Sequence, residues 1–343
     1  MRSMRLVGHR QAEQNPLKME EQGVPQPGTG QVLLRVKVCG VCHTDLHTVE
    51  GDIHPPSLPI TPGHQVVGVV EALGEGVDKL QIGDRLGVPW LYWADGVCDY
   101  CRRGLENLCP NARFTGFHVD GGYAEYMLAE ASYALPLPGS IEDEQAAPLL
   151  CAGIIGYRSL RQADLAPGER LGLVGFGASA HLAIQVARHW GCEVYVFTRG
   201  EEHRRHAVEL GAAWAGGVEE ESPERLDRAV IFAPAGYLVP LVLGKLRPGG
   251  TLAINAIHMS PIPDMDYQLI YEERTLRSVA NATYRDGEEF LALAEKIPIC
   301  ATVQVYPLED ANQALQDLKH SRINGEAVLR VHSSGDAPEP SVV

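Results

Sequence analysis

Two sets of residues in the first half of this 343-residue chain have the types and spacing of metal ligands. The tighter set is Asp95-Gly96-Val97-Cys98-Asp99-Tyr100-Cys101, followed seven residues later by Cys109. Three thiolates at such intervals can converge on one tetrahedral zinc, and a closed structural site needs a fourth ligand. Asp95 precedes Cys98 by the same interval that separates Cys98 from Cys101, where a repeating pattern would place another cysteine. A carboxylate ligates zinc at about 2.0–2.2 Å, so Asp95 is the expected fourth ligand. The alternative is a loop acid on a metal-free lobe.

The second set is spread more widely: Cys42-His43-Thr44-Asp45-Leu46-His47, then Gly63-His64, then Cys151. Two thiolates and an imidazole with no evident fourth protein ligand describe an open zinc site, whose last position is left to water or substrate. Taken singly, each has an ordinary alternative. A lone cysteine such as Cys39 or Cys151 is commonly a core residue, and the intervals are too wide for spacing alone to prove convergence.

A third signal is Gly175-Phe176-Gly177-Ala178-Ser179-Ala180, placed after an apolar strand and opening a helix. Glycines in that setting allow a tight turn and bring a pyrophosphate close to the helix N-terminus, and alanine is an accepted third member. The residue that reads the adenosine ribose is expected about twenty positions on, at the end of the second strand. There, Phe197-Thr198-Arg199-Gly200 offers no acid to hold both ribose hydroxyls of NAD. Thr198 and Arg199 instead suit a 2′-phosphate, which leans the cofactor toward NADP.

The elements that must position these groups follow from pattern. Up to about residue 135 the chain reads as short strands and turns, with Val32–Val38 and Gln65–Val70 rich in β-branched residues. After Pro167-Gly168 strands alternate with helices: Leu171–Val174, a helix over Ala178–Trp190, Val194–Phe197, a helix over Glu201–Leu210, then Ala229–Phe232, Thr251–Asn255 and Leu276–Val279. Pro248-Gly249-Gly250 reads as a turn. Such alternation predicts a doubly wound parallel sheet with helices on both faces. Beyond Arg285 come a helix, a strand near Thr302–Val305, a helix over Leu308–Lys319 and a strand Ala327–Val331, with a small, polar tail from Ser333 to Val343 expected to fray.

Bulk properties narrow the partners. A net charge of −15 argues against a nucleic-acid partner. The apolar run Leu171–Ala187 is short and interrupted by His181 and Gln185, and no apolar segment backs the N-terminal arginines. Neither a membrane span nor a signal peptide is expected. A cytoplasmic protein with reduced thiols follows, in which clustered cysteines serve metals before disulfides.

With these residues in place, the chain resembles the zinc-containing medium-chain alcohol dehydrogenases over about Gln31 to Val331. The resemblance implies an α/β protein: a GroES-like β-rich catalytic domain, residues 1–153 and 285–343, plus a doubly wound Rossmann domain, residues 154–284. It implies one catalytic and one structural zinc, NAD(P), a small alcohol or aldehyde substrate, and a homodimer or homotetramer built partly by edge-to-edge pairing of Rossmann sheets. By position, Cys42, His64 and Cys151 match the catalytic ligands. Thr44 matches the hydroxyl that contacts the substrate oxygen, His47 the outer end of the proton relay, and Asp45 the acid orienting the zinc-bound histidine. Trp90 and Phe114 fall in the aromatic substrate cleft, and Ile257 and Ala280 where the family approaches the nicotinamide.

Several positions depart from that pattern. Gln65 stands where the family usually has glutamate after the zinc-binding histidine, removing a negative charge near the metal. Ile155 replaces a threonine beside the nicotinamide, and Ala178, Ala180 and Ala280 replace glycines and crowd the cofactor slightly. Two further readings are a zinc-free quinone or enoyl reductase of the same superfamily, and a non-enzymatic scaffold built on the Cys98–Cys109 lobe.

Overall fold

The computed structural model describes residues 1–323 and 325–332, so the expected frayed tail from Ser333 lies outside the described residues. The chain divides into two compact units. The first comprises Met1–Cys151, Thr283–Leu291 and Ala301–Val343; the second comprises Ala152–Ala282 and Ala292–Cys300.

The first unit is built on the long strand Gln31–Val41, which is buried along nearly its whole length. Its apolar residues are buried on both faces, and the half-buried Gln31, Arg35 and Lys37 interrupt an otherwise apolar sequence. It pairs antiparallel with Val66–Leu73, with Tyr126–Glu130, and with Glu326–Arg330 from the far end of the chain. Val66–Leu73 continues to Arg85–Val88, and Val303–Pro307 lies parallel to Glu326–Arg330 at the other side. Val32, Leu34, Val36, Val66, Leu86 and Leu329 share one core. At roughly 1.5–3 kcal/mol for each fully buried aliphatic side chain, this core fixes the register of the central strand. Its C-terminal end therefore arrives at a defined place, and the next residue is Cys42.

The second unit is a six-stranded, all-parallel sheet. Its spatial order is Trp214–Gly216, Glu193–Phe197, Arg170–Val174, Leu226–Ile231, Leu246–Ile254 and Thr275–Ser278. Numbered along the chain, that order is 3-2-1-4-5-6, the dinucleotide-binding arrangement with its switch point beside the first strand. Helices follow the strands as expected, Ala178–His189 after the first and Glu201–Glu209 after the second. One expectation needs correction. Pro248-Gly249-Gly250 does not separate two elements but lies within Leu246–Ile254. Leu246 pairs with Leu226 and Thr251 with Arg228, so the sheet absorbs the turn as an irregularity with Gly249 at φ +73°.

Candidate active site

Cys42 leaves the central strand and caps the helix His43–Glu50. Asp45, three residues on, accepts the Cys42 N–H at 2.9 Å through Oδ2, giving a reciprocal capping box. The other carboxylate oxygen, Oδ1, accepts from the Gly63 backbone at 3.1 Å and lies 3.1 Å from His64 Nδ1. An ionised carboxylate only accepts, so Nδ1 carries the proton in that contact. The ring's other nitrogen, Nε2, is buried without a hydrogen-bond partner.

That orphaned nitrogen joins two sulfurs. Cys151 sits in a single π-helical turn, Leu149–Gly153, and its Sγ is 3.9 Å from that of Cys42. The ligand atoms of Cys42, His64 and Cys151 all lie within 4.8 Å of one another. Two sulfurs bound at about 2.3 Å to a tetrahedral zinc stand about 3.8 Å apart, so the donor set fits that ion. The hydrogen bond from Cys151, helped by His64, holds the Cys42 thiol well below its usual range despite burial. Burial alone would push His64 down, but the charge and hydrogen bond of Asp45 and the Cys42 thiolate outweigh it and raise the imidazole to about 10. Protons and a metal therefore compete for the same donors.

Thr44 and His47 lie one turn apart on the same helix. Thr44 is buried, with Oγ1 3.8 Å from Cys42 Sγ. His47 is partly exposed and its Nδ1 lies 2.7 Å from Asp52 Oδ2. Trp90 meets His64 edge-on at 4.9 Å between ring centres. Phe114 stacks on Trp90 at 5.1 Å with an interplanar angle of 11°. Phe117 closes on Trp90 at 5.8 Å, and His118 packs on both phenylalanines. An aromatic wall thus runs outward from His64.

The second cluster is local and more exposed. Asp95, Cys98, Cys101 and Cys109 bring one ligand atom each within 4.8 Å of the others. Asp95 Oδ1 accepts from the Val97 and Cys98 backbones at 2.9 Å, and Oδ2 from Asn111 Nδ2 at 2.8 Å. The Cys98 backbone N–H, Asn111 and the Val97 N–H hold this carboxyl far below the usual range. Burial and the neighbouring Cys98 push the Cys101 thiol up to about 12. Three sulfurs and one carboxylate oxygen supply the four donors that a closed tetrahedral zinc site requires.

In the second unit the Gly175 turn follows the first strand. Gly175 has φ +87°, and a Cβ there would stand 3.0 Å from the Ala233 backbone nitrogen, so the tight turn requires glycine. Gly177, in extended conformation, caps the helix Ala178–His189 and is exposed, leaving the helix N-terminus open to an anion. Ala178 is half-buried and Ala180 fully buried, so the Ala180 methyl packs inside the unit. Thr198 and Arg199 end the second strand; Thr198 is buried and Arg199 exposed. Ile257 and Ala280 are exposed in the loops beyond the carboxyl ends of Leu246–Ile254 and Thr275–Ser278, the edge at which such sheets bind ligands.

Residues 28–139 match the alcohol dehydrogenase GroES-like domain and residues 180–296 the zinc-binding dehydrogenase domain. A probable alcohol dehydrogenase of Mycobacterium tuberculosis is 47% identical over 322 residues, 92% of this chain and 93% of the relative. The chain belongs to the zinc-dependent medium-chain alcohol dehydrogenases. The fold of this dehydrogenase is also that of a cinnamyl alcohol dehydrogenase from Sorghum bicolor, with a TM-score of 0.88, 27% identity, and coverage of 99% of this chain and 100% of that one. CAD from Helicobacter pylori, solved in complex with NADP(H), superposes with a TM-score of 0.85 at 25% identity over 96% of this chain and 99% of that one. The dehydrogenase uses zinc and NAD(P) to interconvert alcohols and carbonyl compounds. Among its described residues no helix is long and apolar enough to cross a membrane.

Sequence reasoning missed several residues of this dehydrogenase. Arg204 donates from Nε to the Thr198 carbonyl at 3.0 Å, bringing a second guanidinium to the strand end that Arg199 occupies. Phe117 and His118 extend the aromatic wall, and an aromatic pair three residues after Phe114 was a usable signal. Glu326 is buried at the start of the strand that pairs with the central strand, some 175 residues after Cys151 in sequence. No local pattern could have placed it.

Proposed function

We propose that Cys42, His64 and Cys151 hold the catalytic zinc of this dehydrogenase, that Asp95, Cys98, Cys101 and Cys109 hold a structural zinc, and that NADP is the preferred cofactor. The observation that carries the first assignment is the buried, partnerless His64 Nε2 facing two sulfurs while Asp45 fixes the ring from behind. When bound there, zinc supplies Lewis-acid polarisation of the substrate oxygen.

The residues of the chain do the rest. Asp45 ties Cys42, Gly63 and His64 into one frame, so the donors are set before a metal arrives. Thr44 Oγ1, beside Cys42 Sγ, accepts the proton of the substrate hydroxyl as it passes its own proton outward. His47, with Nδ1 engaged by Asp52, keeps Nε2 as the outer proton-carrying atom. Trp90, Phe114 and Phe117 shield the reacting oxygen from water and favour an apolar or aromatic primary alcohol and its aldehyde, in keeping with the named substrate class of the sorghum relative. Arg199 and Arg204, with Thr198, favour the 2′-phosphate of NADP.

The edge strand Thr275–Ser278 has no partner on its outer side among the described residues, which supports pairing with a second copy in a dimer or tetramer. Thiols gathered into metal-ligand clusters suit a reducing, cytoplasmic setting.

Metal counting by native mass spectrometry with parallel NAD and NADP titrations tests the reading. Two zincs per chain and tighter NADP binding are expected, with Arg199→Asp reversing the cofactor preference. One zinc per chain, confined to the Asp95 lobe, would overturn the catalytic assignment.

A further inference from the structure

The helix His43–Glu50 is capped by Gly51, and two histidines outside the reacting centre meet beside that end. The N–H groups of Gly51, Asp52 and Ile53 all donate to the His47 carbonyl, at 3.1, 2.9 and 3.3 Å, and so hold the segment leading to His54 against the helix. His54 precedes Pro55, which narrows its backbone to extended conformations. His9 reaches the same place from the N-terminal segment. Its neighbours are pinned there: Arg10 donates its N–H to the Val49 carbonyl at 3.0 Å, and Ala12 to Glu50 Oε1 at 2.9 Å.

The two rings are arranged as metal ligands are. His9 Nδ1 lies 3.0 Å from the Thr48 carbonyl oxygen. A carbonyl only accepts, so Nδ1 carries the proton, and the neutral ring leaves the Nε2 lone pair free. A backbone carbonyl on the far nitrogen is the usual support of a metal-bound histidine, because it fixes both tautomer and ring orientation. That lone pair faces His54 Nδ1 at 3.3 Å, with ring centres 5.0 Å apart and planes inclined at 69°. This separation is longer than the roughly 2.7–3.2 Å of an ordinary N–H donor bond. Two nitrogens bound at about 2.0–2.1 Å to a tetrahedral zinc stand about 3.3–3.4 Å apart. His54 is exposed and His9 half-buried, so an ion has an open approach and water can complete its shell.

We propose that His9 Nε2 and His54 Nδ1 form a further, reversible zinc site at the outer end of the helix that carries Thr44 and His47. The ion takes the place of the proton between the two nitrogens, and that proton moves to His54 Nε2 as the neutral ring changes tautomer. Two imidazoles suit zinc rather than magnesium or calcium, which seek oxygen. With only two protein ligands the ion exchanges readily. Bound zinc links the N-terminal segment to the loop that follows the helix, and so stabilises the folded chain increasingly as free zinc rises.

Isothermal titration calorimetry with zinc tests the site in the full-length enzyme, prepared zinc-loaded, desalted, and held in excess magnesium to occupy surface carboxylates. Wild type should take up one more zinc per chain than His54→Ala. Saturating zinc should raise the wild-type melting temperature by about a few degrees and leave that of His54→Ala where it was. Without added zinc, the two should have the same kcat. His9→Gln should abolish the same binding event; should it fail to fold, His54→Ala decides the matter, since its side chain is exposed. The count is a difference between two proteins, so it does not depend on how the cysteine clusters are filled. Equal zinc uptake by wild type and folded His54→Ala, or an equal rise in their melting temperatures, would overturn the proposal.

Discussion

The two candidate metal clusters of the first unit set the same cysteine chemistry in opposite surroundings. The Asp95 lobe takes all four donors from fifteen consecutive residues, and three of the four are only partly buried. The Cys42 trio draws three donors from points far apart in sequence, buries His64 completely, and gains no fourth ligand among the described residues. A closed set of four saturates a tetrahedral ion and can only hold structure, whereas three donors leave a position for substrate. Their supports differ likewise. Asp95 is both ligand candidate and turn-former, tied to its own loop by backbone N–H groups. Asp45 spends both oxygens fixing the candidate ligands Cys42 and His64. Chemistry resides where the tertiary structure, rather than the local chain, sets the geometry.

The largest expected break in this contrast is Cys42→Ser. Loss of several kcal/mol of Lewis-acid stabilisation should lower kcat by at least about 1000-fold. One zinc per chain and an unchanged circular dichroism spectrum should accompany it. Full turnover in that variant would erase the functional difference between the clusters.

Asp45→Asn comes next. Zinc affinity at the trio should fall between about 10- and 100-fold, since the acid orients His64 and caps its helix, while the lobe keeps its metal. Equal losses at both sites, measured by chelator competition, would show that the two clusters are not independent.

Smaller is the effect at the lobe. Asp95→Ala should cost about 1–2 kcal/mol, a fall of a few degrees in melting temperature, with kcat nearly intact. Asp95→Cys should instead slow zinc loss from the lobe. An activity loss as large as that of Cys42→Ser would contradict a purely structural role.

The mildest test concerns what burial does to a histidine without a carboxylate. His181, in the second unit, is 2% exposed with neither ring nitrogen partnered, and burial followed by the neighbouring His206 lowers it to about 4. His64, equally buried, is raised by Asp45. For His181 the folded value lies below the unfolded one, so between about pH 6.5 and 4 the unfolded chain binds the extra proton and stability falls with acidification. The integrated effect is about 3 kcal/mol. His181→Leu should flatten that arm of the urea-denaturation profile, and an unchanged slope would locate the acid sensitivity elsewhere.

Much of this was legible in one dimension. The Gly175–Ala180 turn and the Cys98–Cys109 spacing are contiguous, because a tight turn and a metal loop are closed by neighbouring residues. Strand and helix types in the second unit followed from periodicity, with ends displaced by a residue or more. Pro248-Gly249-Gly250 misled because a parallel neighbour can hold a glycine irregularity inside one strand, a restraint that local propensity does not contain. The task of Asp45 at His64 was expected from the family resemblance, whereas its capping of the Cys42 backbone emerged only in the structure.

What the sequence by itself determined is the chemistry available: which side chains can ligate, which turn can cradle a phosphate, and which segments must become strands or helices. Those properties follow from side-chain type and short-range sterics. Only the tertiary structure decided which of the available groups meet. Cys42, His64 and Cys151 converge because the long central strand, a glycine-led loop and a π-helical turn are fixed by a common packed unit. Convergence of distant residues is set by burial and hydrogen-bond register summed over the whole unit, and no window of sequence holds that sum.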